Sequence, residues 1–265
     1  MLKVYLVQMD SAKGSKSENI ARAKSLILDA CFTEGSIILL PEMFATGYIP
    51  ANLDSAAEDF STNETGETAR TLSEIADATC CTIMGAGITR ASNGFYNHVS
   101  IYAPHTQKER CGYDKINLFF PERDTFTPGN RINLFTLQNW KIASFICYDL
   151  RFPEIFREAT KQGANLITIQ AAWPAKRRSH WETLLKARAI ENQVYIAAVN
   201  AVSTHSDTQA PLAGKSLIIS PNGDVLAEGT SNEEMIISAE LDLLAERNYR
   251  KSFPVLDGIV PPDLI

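Results

Sequence analysis

One order of elements occurs twice along this chain, and it constrains the fold more than any other feature of the sequence. Each half begins with strand, helix, strand and helix, and continues with strands only. In the first half, hydrophobic periodicity predicts a strand at 4–9, a helix from about 17, a strand at 37–40, a helix at 67–79, and strands near 82–88, 95–103 and 108–113. In the second half it predicts a strand at 142–147, a helix at 153–162, a strand at 166–169, a helix at 179–192, and strands near 194–199, 215–219, 225–228 and 234–239. The repeat is one of structure and not of sequence.

The character of the strands indicates how the two halves pack. Residues 37–40 are all apolar, which is typical of a strand buried on both faces. Two sets of such strands with amphipathic helices predict two mixed sheets packed face to face, with helices on the outer faces. We therefore expect an α/β fold, a four-layer α-β-β-α sandwich, in a single domain over 1–265 because no linker separates the halves. The proline-containing end, from about residue 250, is predicted to be an extended tail.

Charge and composition narrow the classes of function. The net charge of -6 and the pI near 5.3 argue against a protein that binds nucleic acid by electrostatic attraction. No apolar run approaches the roughly 18 residues that a membrane-spanning helix needs, and none resembles a signal peptide, so we expect no membrane partner and a cytoplasmic location. The five cysteines and four histidines have neither disulfide spacing nor metal-site spacing, so no metal site is predicted.

Three residues with chemically useful side chains come directly after predicted strands. Glu42 follows the strand at 37–40, Lys115 follows the last strand of the first half, and Cys147 ends the first strand of the second half. The carboxyl ends of strands gather the site in α/β sheets, so these side chains are expected to converge. A thiol can act as nucleophile, a carboxylate can take its proton, and an ammonium group with a backbone N–H can stabilise an oxyanion.

Each of these residues taken alone has an ordinary structural explanation. A lone cysteine at a strand end is most often a small core residue, and a lone glutamate or lysine in a loop is usually solvated. One local feature favours reactivity of Cys147, because a helix is predicted to begin at Pro153. The positive end of its dipole is expected to favour thiolate over thiol.

The segments that flank the three residues resemble a known family. LPEMF at 40–44, YDKINLF at 113–119 and CYDLRFPE at 147–154 resemble the three signature segments of the nitrilase superfamily of carbon–nitrogen hydrolases. HWETLLKARAIENQ at 180–193, GKS at 214–216 and PNG at 221–223 are similar to the same family, and the resemblance extends from about residue 3 to 245. It implies the α–β–β–α sandwich that the order of elements also predicts.

The resemblance implies a catalytic triad and a mechanism. It assigns Glu42 as the base, Cys147 as the nucleophile, and Lys115 with the backbone N–H of Tyr148 as the groups that hold the oxyanion. The reaction would hydrolyse an amide through a thioester on Cys147, without a metal or an organic cofactor. A homodimer or higher homo-oligomer is also implied.

The resemblance further suggests supporting residues. A glutamate often positions the lysine in this family, and Glu122 is the candidate here, with Asp124 as its competitor. Asn117 stands where related members commonly have a histidine.

The sequence allows more than one interpretation of two segments near the predicted site. The loop after 166–169 lines the substrate pocket in the family, so Trp173 and Arg177 are candidates for substrate binding, with Arg178 as an alternative arginine. A solvated basic run is the competing interpretation of this loop. Asp149 and Arg151 either face the site or pair with each other, and we interpret them as a brace for the turn that carries Cys147.

The sequence therefore predicts an amidase that converts a small aliphatic amide to carboxylic acid and ammonia. The resemblance is strongest to the omega-amidase branch, which implies 2-oxoglutaramate or 2-oxosuccinamate as substrate. An N-carbamoyl amide hydrolase or another aliphatic amidase is the alternative, and a true nitrilase fits the short chain less well. A non-catalytic binding protein that keeps the fold is the rival from another class.

Overall fold

The computed structural model describes residues 1–11, 15–61, 66–204 and 210–259. The strands in these ranges are β1 Leu2–Gln8, β2 Ile37–Leu39, β3 Thr82–Ala91, β4 Gly94–Tyr102, β5 Cys111–Asp114, β6 Leu134–Leu137, β7 Trp140–Ile146, β8 Leu166–Ala171, β9 Tyr195–Asn200, β10 Leu217–Ile219, β11 Val225–Glu228 and β12 Met235–Leu241. The helices are α1 Lys16–Leu28, α2 Leu53–Ala56, α3 Glu67–Thr79, α4 Pro153–Lys161, α5 Arg178–Asn192 and α6 Leu243–Ser252. Short 3-10 helices cover Phe120–Glu122, Cys147–Arg151, Ala175–Arg177 and Val255–Gly258.

The strands form two mixed sheets of six strands each. The first has the order β12-β1-β2-β3-β4-β5, and the second has the order β11-β10-β9-β8-β7-β6. In each sheet the three central strands are parallel, β1-β2-β3 and β7-β8-β9, and the outer strands are antiparallel. The predicted fold class, an α/β sandwich of two mixed sheets with helices, is confirmed.

Apolar side chains hold these layers together. Helices α1 and α3 pack on the first sheet through a buried cluster that joins Ile20, Ile27, Leu72 and Ile75 to Ile38. A second and larger cluster contains residues from both sheets, including Leu6, Leu39, Val99, Ile142 and Ile167. The carboxyl ends of the central strands are therefore supported by a buried apolar core.

The end of the chain differs from the sequence prediction. An extended tail from about residue 250 was predicted, but α6 continues to Ser252 and a 3-10 turn covers Val255–Gly258. The helix forms because Asp242 accepts a hydrogen bond from the N–H of Leu244 at 2.8 Å and Glu246 pairs with Arg250 one turn later, at 2.6 Å. The prolines at 261 and 262 lie outside the described residues. Over the ranges that the structure describes, no helix combines the length and the apolar character needed to cross a membrane.

Candidate active site

The three residues that follow strands converge as expected. Glu42 lies just beyond β2, Lys115 directly follows β5, and Cys147 directly follows β7. Their exposed fractions are 1% for Glu42, 1% for Lys115 and 9% for Cys147. The site therefore combines a buried carboxyl, a buried ammonium and a nearly buried thiol.

A compact hydrogen-bond cluster joins the charged groups. The Nζ atom of Lys115 donates to Oε1 of Glu42 at 2.8 Å and to Oε1 of Glu122 at 2.9 Å. Asn97 donates from Nδ2 to the same two oxygens, at 2.7 Å and 2.9 Å. The backbone N–H of Ala172 donates to Oε2 of Glu42 at 2.9 Å. Both carboxylates are thus fixed by several donors.

The electrostatics of the cluster follow from burial and from the two carboxylates. Burial disfavours the charged form of Lys115, but Glu42 and Glu122 outweigh that effect and raise the pKa of its ammonium group. Burial and the charge of Glu42 raise the pKa of Glu122, although Lys115 opposes them. The two carboxylates therefore favour the ammonium form of Lys115, which lies between them.

Glu122, and not Asp124, lies beside Lys115. Glu122 ends the 3-10 helix Phe120–Glu122, and its Oε2 accepts the backbone N–H of Phe119 at 2.6 Å. Asp124 is exposed. Of the two candidates that the sequence left open, only Glu122 has the geometry of a supporting acid.

The surroundings of Cys147 favour the thiol over the thiolate, whereas the predicted helix dipole alone would favour the thiolate. Burial raises the pKa of Cys147 well above its usual value, and the negative charge of Glu42 adds to this effect. Cys147 lies at the start of the 3-10 helix Cys147–Arg151, and α4 begins only at Pro153. The expected dipole stabilisation of the thiolate is therefore outweighed, and the nucleophile needs a base.

Asp149 braces the turn that carries Cys147, as predicted. Its Oδ2 accepts hydrogen bonds from the hydroxyl of Tyr113 at 2.7 Å and from the N–H of Ile146 at 3.0 Å. Its Oδ1 accepts from the N–H and the side-chain amide of Asn117, at 2.8 Å and 3.0 Å. Cys147 itself has a φ of 43°, a left-handed conformation that side chains seldom adopt. The Asp149 contacts hold this strained turn in place.

A cavity of about 700 Å³ opens onto the thiol. Its wall includes the aromatic residues Tyr48, Phe119, Tyr148 and Trp173. Trp173 is 2% exposed, and its indole Nε1 donates to the carbonyl of Arg177 at 2.8 Å. The predicted residues Tyr148, Trp173 and Arg177 therefore all line the space beside Cys147.

The wall of the cavity carries more positive than negative charge, because Arg22, Arg151, Lys176 and Arg177 line it together with one carboxylate, Asp10. Arg151 and Arg177 both line the cavity, and within the described ranges neither forms an ion pair with a carboxylate. The guanidinium of Arg151 lies over the rings of Trp173, 4.6 Å from the centroid, and Tyr148, at 5.6 Å. Burial and the charge of Arg177 lower the pKa of Arg151. The cavity is thus suited to an anionic ligand.

Sequence reasoning did not single out two residues of the site, Asn97 and Tyr48. Asn97 lies in the middle of a predicted strand, next to the polar residue His98, and no local pattern marks it. Tyr48 lines the cavity, and burial and the nearby charges of Glu42 and Glu122 raise the pKa of its hydroxyl. Arg151, for which the sequence left open whether it faces the site or pairs with Asp149, lines the cavity. No cluster of three His, Cys, Asp or Glu side chains suited to a metal ion occurs in the part of the chain that the structure describes.

Comparison with known proteins gives a consistent result. The sequence model of the carbon-nitrogen hydrolase family matches residues 3–251. The 2-oxoglutaramate amidase of Bacillus subtilis (strain 168) is 39% identical over 262 residues, which cover 97% of this chain and 96% of that protein. An omega-amidase of Xenopus tropicalis is 32% identical over 251 residues, which cover 91% of this chain and 88% of that protein.

A solved structure extends the similarity to three dimensions. A CN-hydrolase superfamily protein of Xanthomonas campestris, with an arsenic adduct in its active site, superposes with a TM-score of 0.87. It is 28% identical, and the match covers 98% of both chains. The family resemblance inferred from the three motifs is confirmed.

Proposed function

The chain belongs to the carbon–nitrogen hydrolase family, whose members hydrolyse carbon–nitrogen bonds, and from this premise we propose an amidase with Cys147 as its nucleophile. One observation carries the proposal: a nearly buried thiol opens onto a cavity and interacts with a carboxylate, Glu42, that is fixed by three donors.

The first half of the reaction forms a thioester. The proton on the sulfur of Cys147 passes to Glu42 while the sulfur attacks the amide carbon, because the thiol is otherwise protonated. The carbonyl oxygen becomes an oxyanion, which Lys115 and the backbone N–H of Tyr148 stabilise. The intermediate then collapses: the carbon–nitrogen bond breaks, Glu42 gives its proton to the leaving nitrogen, and ammonia departs.

The second half releases the acid. Glu42 takes a proton from water, the hydroxyl oxygen attacks the thioester carbon, and the same donors stabilise the new oxyanion. When the carbon–sulfur bond breaks, Glu42 returns the proton to the sulfur. The products are a carboxylic acid, ammonia and the free thiol, so no redox partner is required.

Glu122 supports this chemistry by holding Lys115. Two buried carboxylates share one ammonium group, so Lys115 stays charged throughout the cycle. The backbone N–H of Phe119 and the amide of Asn97 fix Glu122 itself.

The cavity supports a substrate that carries a carboxylate. Arg151 and Arg177 present guanidinium groups to the same space as Cys147, and either can bind a carboxylate through two hydrogen bonds. The relatives act, by their names, on 2-oxoglutaramate or as omega-amidases. We propose the ω-amides of dicarboxylic acids, with 2-oxoglutaramate or 2-oxosuccinamate as the preferred substrate.

Two measurements test the proposal together. Ammonia release is measured over a panel of ω-amides, N-carbamoyl compounds and nitriles, and ω-amides are expected to react fastest. Cys147→Ala is expected to lower turnover by roughly 10⁴-fold or more, because it removes the only proposed nucleophile. Cys81→Ala is the matched control, since Cys81 is also buried but does not line the cavity. Retained turnover in Cys147→Ala would reject the mechanism.

Alkylation separates an enzyme from a binding protein that keeps the fold. An activated Cys147 is expected to react with iodoacetamide faster than Cys31, although Cys31 is exposed. Equal or slower alkylation of Cys147, together with no ammonia release from any compound of the panel, would favour the binding protein.

We also propose a cytoplasmic homodimer. All five cysteines are free, which fits a reducing compartment. Large apolar side chains are exposed on α5 and β11, at Ile190, Val225 and Leu226, which fits a surface covered by a second copy. Light scattering of the purified protein tests the dimer, and a monomer at micromolar concentration would contradict it.

A further inference from the structure

Asn97 contacts every charged member of the cluster that surrounds Lys115. It lies in β4, and its side chain is fully buried. Its Nδ2 atom donates to Glu42 and Glu122, at 2.7 Å and 2.9 Å. Its main-chain carbonyl accepts the N–H of Lys115 at 2.9 Å. One neutral residue thus fixes both carboxylates and the backbone of the lysine.

The contacts form a closed ring of two donors and two acceptors. Nζ of Lys115 and Nδ2 of Asn97 each donate to the Oε1 atoms of Glu42 and Glu122. Two buried carboxylates repel each other, and one ammonium group neutralises only one of them. The amide of Asn97 adds two N–H dipoles but no charge. It therefore reduces the repulsion between the two carboxylates, and the cluster can still accept one proton.

The other end of the amide indicates what these contacts are for. The Oδ1 atom of Asn97 is buried, and within the described residues it has no hydrogen-bond partner. Buried polar atoms are usually satisfied, so an asparagine kept only for packing would not be expected here. Both N–H groups are directed at carboxylates, which fixes the orientation of the amide.

This geometry determines which oxygen of Glu42 can receive a proton. Its Oε1 already accepts from Lys115 and Asn97, whereas Oε2 accepts, among the residues that the structure describes, the N–H of Ala172. We propose that Asn97 is a positioning residue that holds Glu42 and Glu122 as an ionised pair and directs the proton of Cys147 to Oε2 of Glu42. The inference rests on the proposed function, because it assumes that Glu42 is the base.

The two N–H groups of Asn97 should affect how the activity depends on pH. The charged or titratable groups that face the carboxylate pair are Lys115, Cys147 and Tyr48, and the charge of Lys115 also acts on Asp149. None of these can replace the two N–H groups of Asn97. Without them the pair takes up a proton at higher pH, so activity on the acid side of the pH profile is lost earlier.

The test compares Asn97 variants with a control on the same strand. Asn97→Ala and the isosteric Asn97→Asp are expected to lower kcat on the order of 100-fold, with KM changed less than threefold, because the base is misplaced and the substrate wall is intact. The acid limb of the kcat profile should move to higher pH. Asn97→Ser, which keeps one donor, should lie between these variants and wild type. Ser100→Ala is the control, because Ser100 is equally buried in β4 and its hydroxyl has no partner in the described residues.

A second readout does not depend on the substrate. The rate of alkylation of Cys147 by iodoacetamide is followed against pH in each variant that retains the wild-type circular dichroism spectrum, and its acid limb should move in parallel with that of kcat. An unshifted acid limb in the Asn97 variants, or an equal loss of kcat in Ser100→Ala, would overturn the positioning role. Turnover by Cys147→Ala would instead reject the proposed function, so the two failures are distinguishable.

Discussion

Arg177 and Arg178 are neighbours in sequence, but their side chains have different surroundings. Arg177 lines the cavity beside Cys147 and has no carboxylate partner among the described residues. Arg178 is exposed; it lies 3.8 Å from a carboxylate oxygen of Glu182 and donates to the hydroxyl of Ser231 at 3.0 Å. The sequence left the choice between them open, and the geometry favours Arg177 as the ligand of a substrate carboxylate.

This difference gives a prediction with a built-in control. Arg177→Ala is expected to raise KM for ω-amides of dicarboxylic acids about tenfold or more, because a charge-assisted hydrogen bond is lost. KM for a simple amide such as propionamide should be unchanged. Arg178→Ala should leave both values within about twofold. Steady-state ammonia release measures all four constants, and a uniform rise for both classes of substrate would remove Arg177 from carboxylate binding.

At the level of residues, the sequence predicts the side chains that follow strands better than those within them. Glu42, Lys115 and Cys147 could be found because each ends a strand inside a distinctive motif, and the rule that strand ends gather the site brings them together. Asn97 could not, because its position in β4 becomes meaningful only through the pairing of β4 with β3 and β5. The strength with which the site favours the thiol of Cys147 could not be predicted either, since it depends on burial and on the position of Glu42.

Among the helices, α3 has an unusual N-terminus. Its N-cap is Gly66, which has no side chain to accept the first N–H groups. Glu58 supplies the acceptors from a separate segment: it accepts the N–H and hydroxyl of Thr68 at 2.9 Å and 2.7 Å, and the N–H of Ala69 at 3.0 Å. Lys16 of α1 pairs with the same carboxylate. Glu58 therefore ties α1 and α3 together at the surface of the first sheet.

The charge on Glu58 makes this contribution depend on pH. Burial opposes the ionised form, but hydrogen bonds from Lys16, Thr68 and Ala69 outweigh it and lower the pKa of Glu58 below its ordinary value of 4.5. A carboxyl with a lowered pKa in the folded state stabilises the protein above its unfolded pKa. That stabilisation is lost as the pH falls through the lowered value.

Glu58→Gln is therefore expected to reduce the free energy of unfolding at pH 7 by about 1–2 kcal/mol, since charged hydrogen bonds to the helix N–H groups are replaced. The difference from wild type should persist above about pH 5 and shrink at lower pH. Urea unfolding at several pH values measures it. Glu67→Gln, which removes the same charge from the first turn of α3 without removing these contacts, should cost less than about 0.5 kcal/mol. Equal losses in both variants would contradict the role of Glu58.

Helices with a clear apolar face could be predicted from the sequence, and helices without one could not. The bounds of α3 were predicted correctly because its apolar residues fall on one face at helical spacing. Helix α6 was missed because it is largely polar, and its only fully buried residue is Glu246. Besides its local cap and its Glu246–Arg250 pair, the helix is held by a tertiary contact, because Arg250 donates to the carbonyl of Gln193 at 3.0 Å.

At the scale of the whole molecule, one strand from the second half of the chain belongs to the sheet that the first half forms. The sequence predicts a repeated order of elements and two mixed sheets, and the structure contains two mixed sheets. Yet β12, from the end of the second half, pairs with β1 over seven residues, from Leu2 opposite Leu241 to Gln8 opposite Met235. A repeat in element order cannot reveal which sheet an outer strand joins, because that depends on the long-range pairing of two strands more than 200 residues apart.

This exchange and the shared core support the proposal that the chain is a single domain. The central cluster joins Leu6 and Val99 of the first sheet to Ile142 and Ile167 of the second. Separating the halves would expose this cluster and break the β1–β12 ladder. We therefore expect the two halves to unfold together.

The distribution of tryptophan allows a direct test of that expectation. All three tryptophans, Trp140, Trp173 and Trp181, are buried and lie in the second half, so their fluorescence reports on that half alone. Leu6→Ala removes buried side-chain atoms from β1 in the first half and should cost roughly 2–5 kcal/mol.

If the chain is one cooperative unit, Leu6→Ala lowers the urea midpoint of tryptophan fluorescence as much as that of far-UV circular dichroism, although no tryptophan lies in the first half. Leu28→Ala, at the exposed end of α1, is the control and should move neither midpoint appreciably, because Leu28 is 44% exposed. A fluorescence midpoint that stays at the wild-type value in Leu6→Ala, while the circular dichroism transition splits in two, would mean that the halves are separate domains. The β1–β12 ladder makes that outcome unexpected, because it places a strand of the second half in the sheet that the substitution weakens.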